Sequence, residues 1–207
     1  FEKREGVRIL QTPNGCGILV SQIRAGMHPD AYFACDTSFM TSVQDVFPDW
    51  HDVSATEMVI AVNKEKQAEL DIQSLEDLAS SPMKIGLCDP QHSALGDLTK
   101  RLLQQKQLWE EIRPKVLTWP STADRLVEGV VISGLDAAIV YRANTTRKID
   151  ELHVISIESP RARAVQPIAV ASDSKFPNLT ERLVTRLRSI ESRQRFEDLG
   201  FEWLGDR

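Results

Sequence analysis

Two rhythms of apolar and polar positions alternate along this chain. Short runs rich in Val, Ile, Ala, Phe and Tyr stand at 7–10, 31–34, 58–62, 84–87, 137–141, 153–157 and 167–171, and they predict strands. Between them, apolar residues recur at helical spacing over 18–25, 38–46, 74–79, 94–105 and 122–131. The last of these is less regular, because Gly129 weakens its centre. A long helix over 179–190 and a shorter one near Arg195 close the chain. Alternation of this kind predicts an α/β fold with largely parallel sheets flanked by helices.

Start signals agree with the periodicity. Ser74-Leu75-Glu76-Asp77 reads as a capping box with Ser74 at the cap and Asp77 in the place of the usual Glu. Thr122 is placed to cap the helix carrying Arg125, and Asn178 or Thr180 the long C-terminal one. There is no internal repeat, low-complexity run or long linker, so two lobes would have to be joined through strands.

Composition narrows the function classes. With 207 residues and 42% hydrophobic content, the chain suits one large domain or two small ones. The longest apolar run, near Met58 to Val62, is too short to span a bilayer, and no signal segment stands at the N-terminus. A soluble protein is expected. A net charge of -5 argues against a nucleic-acid surface. Arg182, Arg186, Arg188, Arg193 and Arg195 cluster on the C-terminal helical pattern and read as a solvated face.

The candidate chemistry lies in turns that follow strands, where open α/β sheets bind ligands. Pro13-Asn14-Gly15-Cys16-Gly17 leads into a helix, Ala34-Cys35-Asp36-Thr37-Ser38 ends a strand before a helix cap, and Cys88-Asp89-Pro90-Gln91-His92-Ser93-Ala94-Leu95-Gly96 ends in a helix start. Ser121-Thr122-Ala123 is the fourth, with Tyr141 closing the strand after it. Helix starts offer N–H donors to an anion without fixed positive charge, which an acidic protein can use. No Gly-x-Ser-x-Gly elbow, Walker loop, His-Glu-x-x-His or Gly-x-Gly-x-x-Gly is present. His28, His51, His92 and His153 lie at no metal-ligand spacing from one another. A binder rather than an enzyme is expected, with no catalytic residue. Cys16, Cys35 and Cys88 are too few for a disulfide framework.

These same turns resemble the periplasmic molybdate-binding proteins of ABC transporters, a type II periplasmic solute-binding family. The resemblance rests on Gly15 to Gly26, on Pro29-Asp30-Ala31-Tyr32-Phe33-Ala34-Cys35-Asp36, and on Gly86-Leu87-Cys88-Asp89-Pro90 with His92 and Gly96. It continues through Ala138-Ile139-Val140-Tyr141, Gln166-Pro167-Ile168-Ala169-Val170 and Leu199-Gly200-Phe201, in order along essentially the whole chain. It implies two α/β lobes, 1–56 with 167–207 and 57–166, with a ligand cleft between them. It further implies an oxyanion ligand, molybdate or tungstate, bound by Cys16, Gly17, Cys35, Leu95, Ala123 and Tyr141. A membrane permease as partner, a monomeric state and a periplasmic or extracytoplasmic location follow from it too.

The sequence departs from the family at two points. The family's first strand and helix, which carry an anion-binding serine, have no counterpart ahead of Phe1, and cysteines stand where relatives have serine (Cys16) and alanine (Cys35). Three readings of the cysteines stay open: apolar fillers, a disulfide, or a soft-metal or arsenite site on Cys16 and Cys35 with Cys88 or His92. A ligand-sensing domain of a regulator is a further alternative.

Overall fold

The structure is a computed structural model that describes residues 1–132 and 134–205. Its strands are β1 (Ala31–Phe33), β2 (Trp50–Asn63), β3 (Ile85–Gly86), β4 (Val116–Thr118), β5 (Ala137–Tyr141), β6 (Leu152–Ser156), β7 (Arg163–Val170) and β8 (Glu202–Trp203). The chain divides into two compact units, one of Phe1–Ala55, Val165–Asp198 and Glu202–Arg207, the other of Thr56–Ala164 and Leu199–Phe201. Both unit boundaries near 55 and 165 fall inside strands, β2 and β7.

In the first unit β1 pairs antiparallel with β7, Ala31 opposite Val170 and Phe33 opposite Ile168, and β8 pairs antiparallel with the start of β2. Successive side chains of β7 point to opposite faces, and both faces are covered. Ala169 joins Ile23, Tyr32, Met40, Val43 and Phe47 in one core, while Ile168 joins Val53 and Val184 in another. The helices Cys16–Arg24 and Thr37–Thr41 supply the first core and Pro177–Leu187 the second.

The second unit holds one larger core. Its β2 segment lies between β6 and β5, antiparallel to both, with Ile60 opposite Ile155 and Ile139. Met58 to Val62 are buried without exception, as are Ala137 to Val140. A central strand covered on both faces has no solvent side to keep polar, hence the uninterrupted apolar runs. β3 pairs parallel with β4 and with β5.

The largely parallel sheets expected from the alternation are therefore mixed sheets, with parallel pairing centred on β3. Alternation of strands and helices sets how consecutive elements connect, whereas β2 and β5 are neighbours far apart in sequence, free of that constraint. Other expectations also shift. Residues 7–10 form no strand; Ile9 N–H donates to Glu2 Oε1 at 2.7 Å and Leu10 is exposed. The helix expected over 38–46 is regular only over Thr37–Thr41 and continues as turns. The C-terminal helix starts at Pro177, whose fixed φ and missing N–H suit a first helical position, so neither Asn178 nor Thr180 caps it. Gly129 has a packing reason, since a Cβ there would lie 2.9 Å from Leu135 Cδ1.

Candidate functional site

The first unit contributes two of the expected turns. Helix Cys16–Arg24 opens at Gly15, and Gly15, Cys16 and Gly17 are all buried. Its first-turn N–H groups lie too early to meet a carbonyl of their own helix. Cys35 comes two residues after the end of β1, and Ala34 N–H between them donates to Pro167 O at 2.9 Å, which extends the ladder up to it. Asp36 then caps the next helix, its Oδ1 accepting from Ser38 N at 2.9 Å and from Ser38 Oγ at 2.6 Å. Cys16 and Cys35 are joined by a disulfide, with Cα atoms 6.4 Å apart. Cys35 N–H points at Cys16 Sγ, 3.1 Å away.

In the second unit, three strands that run parallel side by side each end at a helix start. β3 leads to the helix Ala94–Gln105, β4 to Ala123–Val131 and β5 to Arg142–Thr145. The pairing of β3 with β4 continues past the strands, Leu87 N–H donating to Thr118 O at 3.4 Å and Asp89 N–H to Pro120 O at 3.0 Å. Asn144 Nδ2 donates to Asp124 Oδ1 at 2.9 Å and ties the third helix start to the second. Leu95, Ala123 and Tyr141 are thus gathered at the carboxyl ends of adjoining strands, all three buried.

Two close contacts shape this end of the sheet. A Cβ at Gly96 would run into the Asp89 carbonyl and come within 2.6 Å of Cys88 O, so the helix start rests directly on the turn's backbone. A Cβ at Gly86 would meet the side-chain tips of Leu135, at Cδ1 2.5 Å away, and of Leu126, at Cδ2 2.7 Å away, so the side chains of helix Ala123–Val131 and of Leu135 pack onto β3 at this glycine. Asp89 pins the turn itself, its Oδ1 accepting from Gln91 N at 2.7 Å and His92 N at 3.1 Å. Burial favours the neutral acid, but those hydrogen bonds prevail and hold the Asp89 carboxyl below its ordinary range.

Arg142, next to Tyr141, is drawn onto Glu57 Oε2 at 3.0 Å and Ser156 Oγ at 2.7 Å. In the one-turn helix Arg142–Thr145, the Ala143 N–H donates to Thr56 Oγ1 at 3.4 Å. Helices Ala94–Gln105 and Ala123–Val131, in contrast, offer first-turn N–H groups with the positive ends of helix dipoles behind them, a neutral surface that favours an anion. Asp89, Asp124 and Asn144 fix its geometry and were not singled out for that in the sequence. The only local signal was an Asp two residues before a backbone N–H it can cap, a pattern common in ordinary turns.

The structure decides among the readings of the cysteines. Cys16 and Cys35 form the disulfide, so the soft-metal or arsenite site on these two residues lacks its thiolates in this state. Cys88 belongs to the other unit, is 1% exposed, and burial pushes its thiol up to about 12, which keeps it protonated at neutral pH. His92 sits 3.2 Å from Asp89 Oδ1 and is half exposed. Among the described residues, no three His, Cys, Asp or Glu side chains converge to hold a metal ion. No helix among them is long and apolar enough to cross a membrane.

The chain is similar to known proteins along nearly its whole length. A Haemophilus influenzae protein described as a binding protein is 21% identical over 204 residues, covering 97% of this chain and 82% of its own. The periplasmic molybdate-binding protein of Azotobacter vinelandii superposes with a TM-score of 0.81 at 12% identity, covering 99% of this chain and 91% of its own. The periplasmic binding protein AfuA of Actinobacillus pleuropneumoniae, solved with fructose-6-phosphate, gives 0.81 at 14% identity, covering 99% and 78%. At such identities these structures establish the fold. The model of one family, bacterial extracellular solute-binding protein, matches residues 1–202. With that match, this chain belongs to the bacterial extracellular solute-binding proteins, which bind solutes and are not enzymes.

Proposed function

We propose that this protein is the extracytoplasmic solute-binding component of an ABC transporter for a small tetrahedral oxyanion, molybdate or tungstate, which it hands to a membrane permease. The observation that carries the reading is the gathering of three helix starts at the ends of β3, β4 and β5. Main-chain N–H groups around Leu95, Ala123 and Tyr141 would grip the anion in the second unit. In the first unit, the N–H groups of Cys16 and Gly17 stand at a helix start of the same kind. Cys35, expected as a further donor, turns its N–H toward sulfur. Similarity to a molybdate-binding protein supports the ligand class, and family membership supports delivery to a permease.

Thermal unfolding of the purified oxidised protein with molybdate, tungstate, sulfate, phosphate and fructose-6-phosphate, each in turn, tests the reading. Ligand at about a hundred times its dissociation constant stabilises by roughly 2.7 kcal/mol. Stabilisation by molybdate and tungstate is expected. Stabilisation by the phosphate ester alone would replace the ligand, and no response to any of the five would overturn an oxyanion site.

A further inference from the structure

We propose that Asn14 is a modification site of this protein: it deamidates spontaneously in the folded chain, through a cyclic imide formed with the backbone nitrogen of Gly15. The proposal stands on the first unit alone and is independent of the oxyanion reading.

Four asparagines occur in the sequence, Asn14, Asn63, Asn144 and Asn178, and Asn14 is the one followed by glycine. With no Cβ on that next residue, little bulk keeps the side-chain carbonyl carbon from its nitrogen. Residues 11–14 are exposed and belong to no helix or strand, while Gly15 is buried and opens the helix Cys16–Arg24. Gly15 O is taken into that helix, accepting from Leu19 N–H at 3.0 Å. Gly15 N–H stands ahead of the helix ladder and donates to Asn14 Oδ1 at 2.9 Å. The side-chain amide is therefore already folded over the nitrogen that must attack it. Rotation about χ2, a soft torsion in asparagine, turns the face of Cγ toward that nitrogen.

The other three asparagines are arranged against this reaction. Asn63 is buried, with Nδ2 donating to Val130 O at 2.9 Å and Oδ1 accepting from Glu65 N at 3.0 Å. Asn144 lies in the helix Arg142–Thr145, is followed by the buried, β-branched Thr145, and has its Nδ2 on Asp124 Oδ1 at 2.9 Å. Asn178 lies in the helix Pro177–Leu187, and the nitrogen after it, Leu179 N, donates to Phe176 O at 3.1 Å.

Hydroxide removes the Gly15 amide proton, and the nitrogen attacks Asn14 Cγ. The bond from Cγ to Nδ2 breaks, and that nitrogen leaves as ammonia with a proton from water. Water then opens the cyclic imide. Attack at Cγ gives aspartate; attack at the main-chain carbonyl gives isoaspartate, in which the chain runs through the side chain. One water is consumed and one ammonia released, with no oxidation or reduction. Either product carries a carboxylate just ahead of the helix start and takes the net charge one unit below -5. The helix dipole favours a negative charge at that end, so the folded chain accommodates the aspartate form.

The test is incubation of the folded, oxidised protein at neutral and at mildly alkaline pH, then quenching in acid, reduction and peptide mapping by mass spectrometry. The tryptic peptide of residues 9–24 holds Asn14 as its sole asparagine. Conversion of Asn14 is expected to run at least about tenfold faster than that of Asn63, Asn144 or Asn178, and faster at the higher pH, with both aspartate and isoaspartate formed. An acidic form that comigrates with Asn14→Asp should accumulate on isoelectric focusing. Asn14→Gln, whose longer side chain closes a larger ring, should not form it, and circular dichroism checks that each variant is folded. Conversion of Asn14 no faster than that of the other three overturns the proposal. So does conversion seen only in the urea-unfolded chain, or the same acidic form arising at the same rate in Asn14→Gln.

Discussion

Single contacts at this site are unusually direct, and Gly96 shows it best. The atoms a Cβ would meet there are main-chain atoms of Cys88 and Asp89, which cannot swing aside as a side chain can. Gly96→Ala should therefore cost about 2 kcal/mol of stability, as overpacking does, and push Leu95 out of place. Urea denaturation together with ligand-induced stabilisation would show both losses. Reducing the disulfide, whose partners are 19 residues apart, should lower stability by about 3 kcal/mol on the chain-entropy argument, read from denaturation curves with and without reductant. Asp136 links the start of β5 to its surroundings by accepting from Lys66 Nζ at 2.7 Å and Lys84 N at 2.8 Å. Burial opposes its ionisation, yet these partners hold the carboxyl below its ordinary range. A depressed carboxyl stabilises fully above its unfolded pKa of about 4 and loses that contribution as pH falls through the folded value. Asp136→Asn should thus cost about 1 kcal/mol at pH 7. The gap from the wild type should close in acid-range denaturation.

At the scale of elements, local signals in the sequence worked where a side chain answers its own helix. Ser74 Oγ accepts from Asp77 N at 3.2 Å, as the box predicts, but in the return bond Asp77 Oδ2 accepts from Gln73 N at 3.0 Å. The shorter reach of Asp compared with Glu still satisfies a donor before the helix. Ser74→Ala should destabilise by about 1 kcal/mol, measurable by thermal unfolding. The helix Ala94–Gln105 was legible to the residue, because its apolar face is long and regular. Short strands were not: β4 and β8 carry too few residues to show an alternation, and they exist because β3 and β2 offer them an edge. Thr122 stands at a helix start without a side-chain cap bond, since residue type at a cap is a preference and not a contact.

For the whole molecule, the net charge of -5 and the tethering of Arg142 to Glu57 and Ser156 accord with the proposed reading, in which oriented N–H groups would hold the anion. Such a site should be insensitive to screening, so Kd measured between 50 and 500 mM salt should change by less than about threefold. A steep loss would point to cationic side chains instead. The alternation of strands and helices, the binder character and the positions of the four turns were all legible along the chain, because periodicity and turn chemistry are local properties. Strand direction, the pairing of β2 with β5, the bonding of Cys16 to Cys35 and the contact of Gly96 with Cys88 and Asp89 were decided only in three dimensions. Each joins residues that are remote in sequence or meet through backbone atoms. No spacing or residue type records which remote partners will meet.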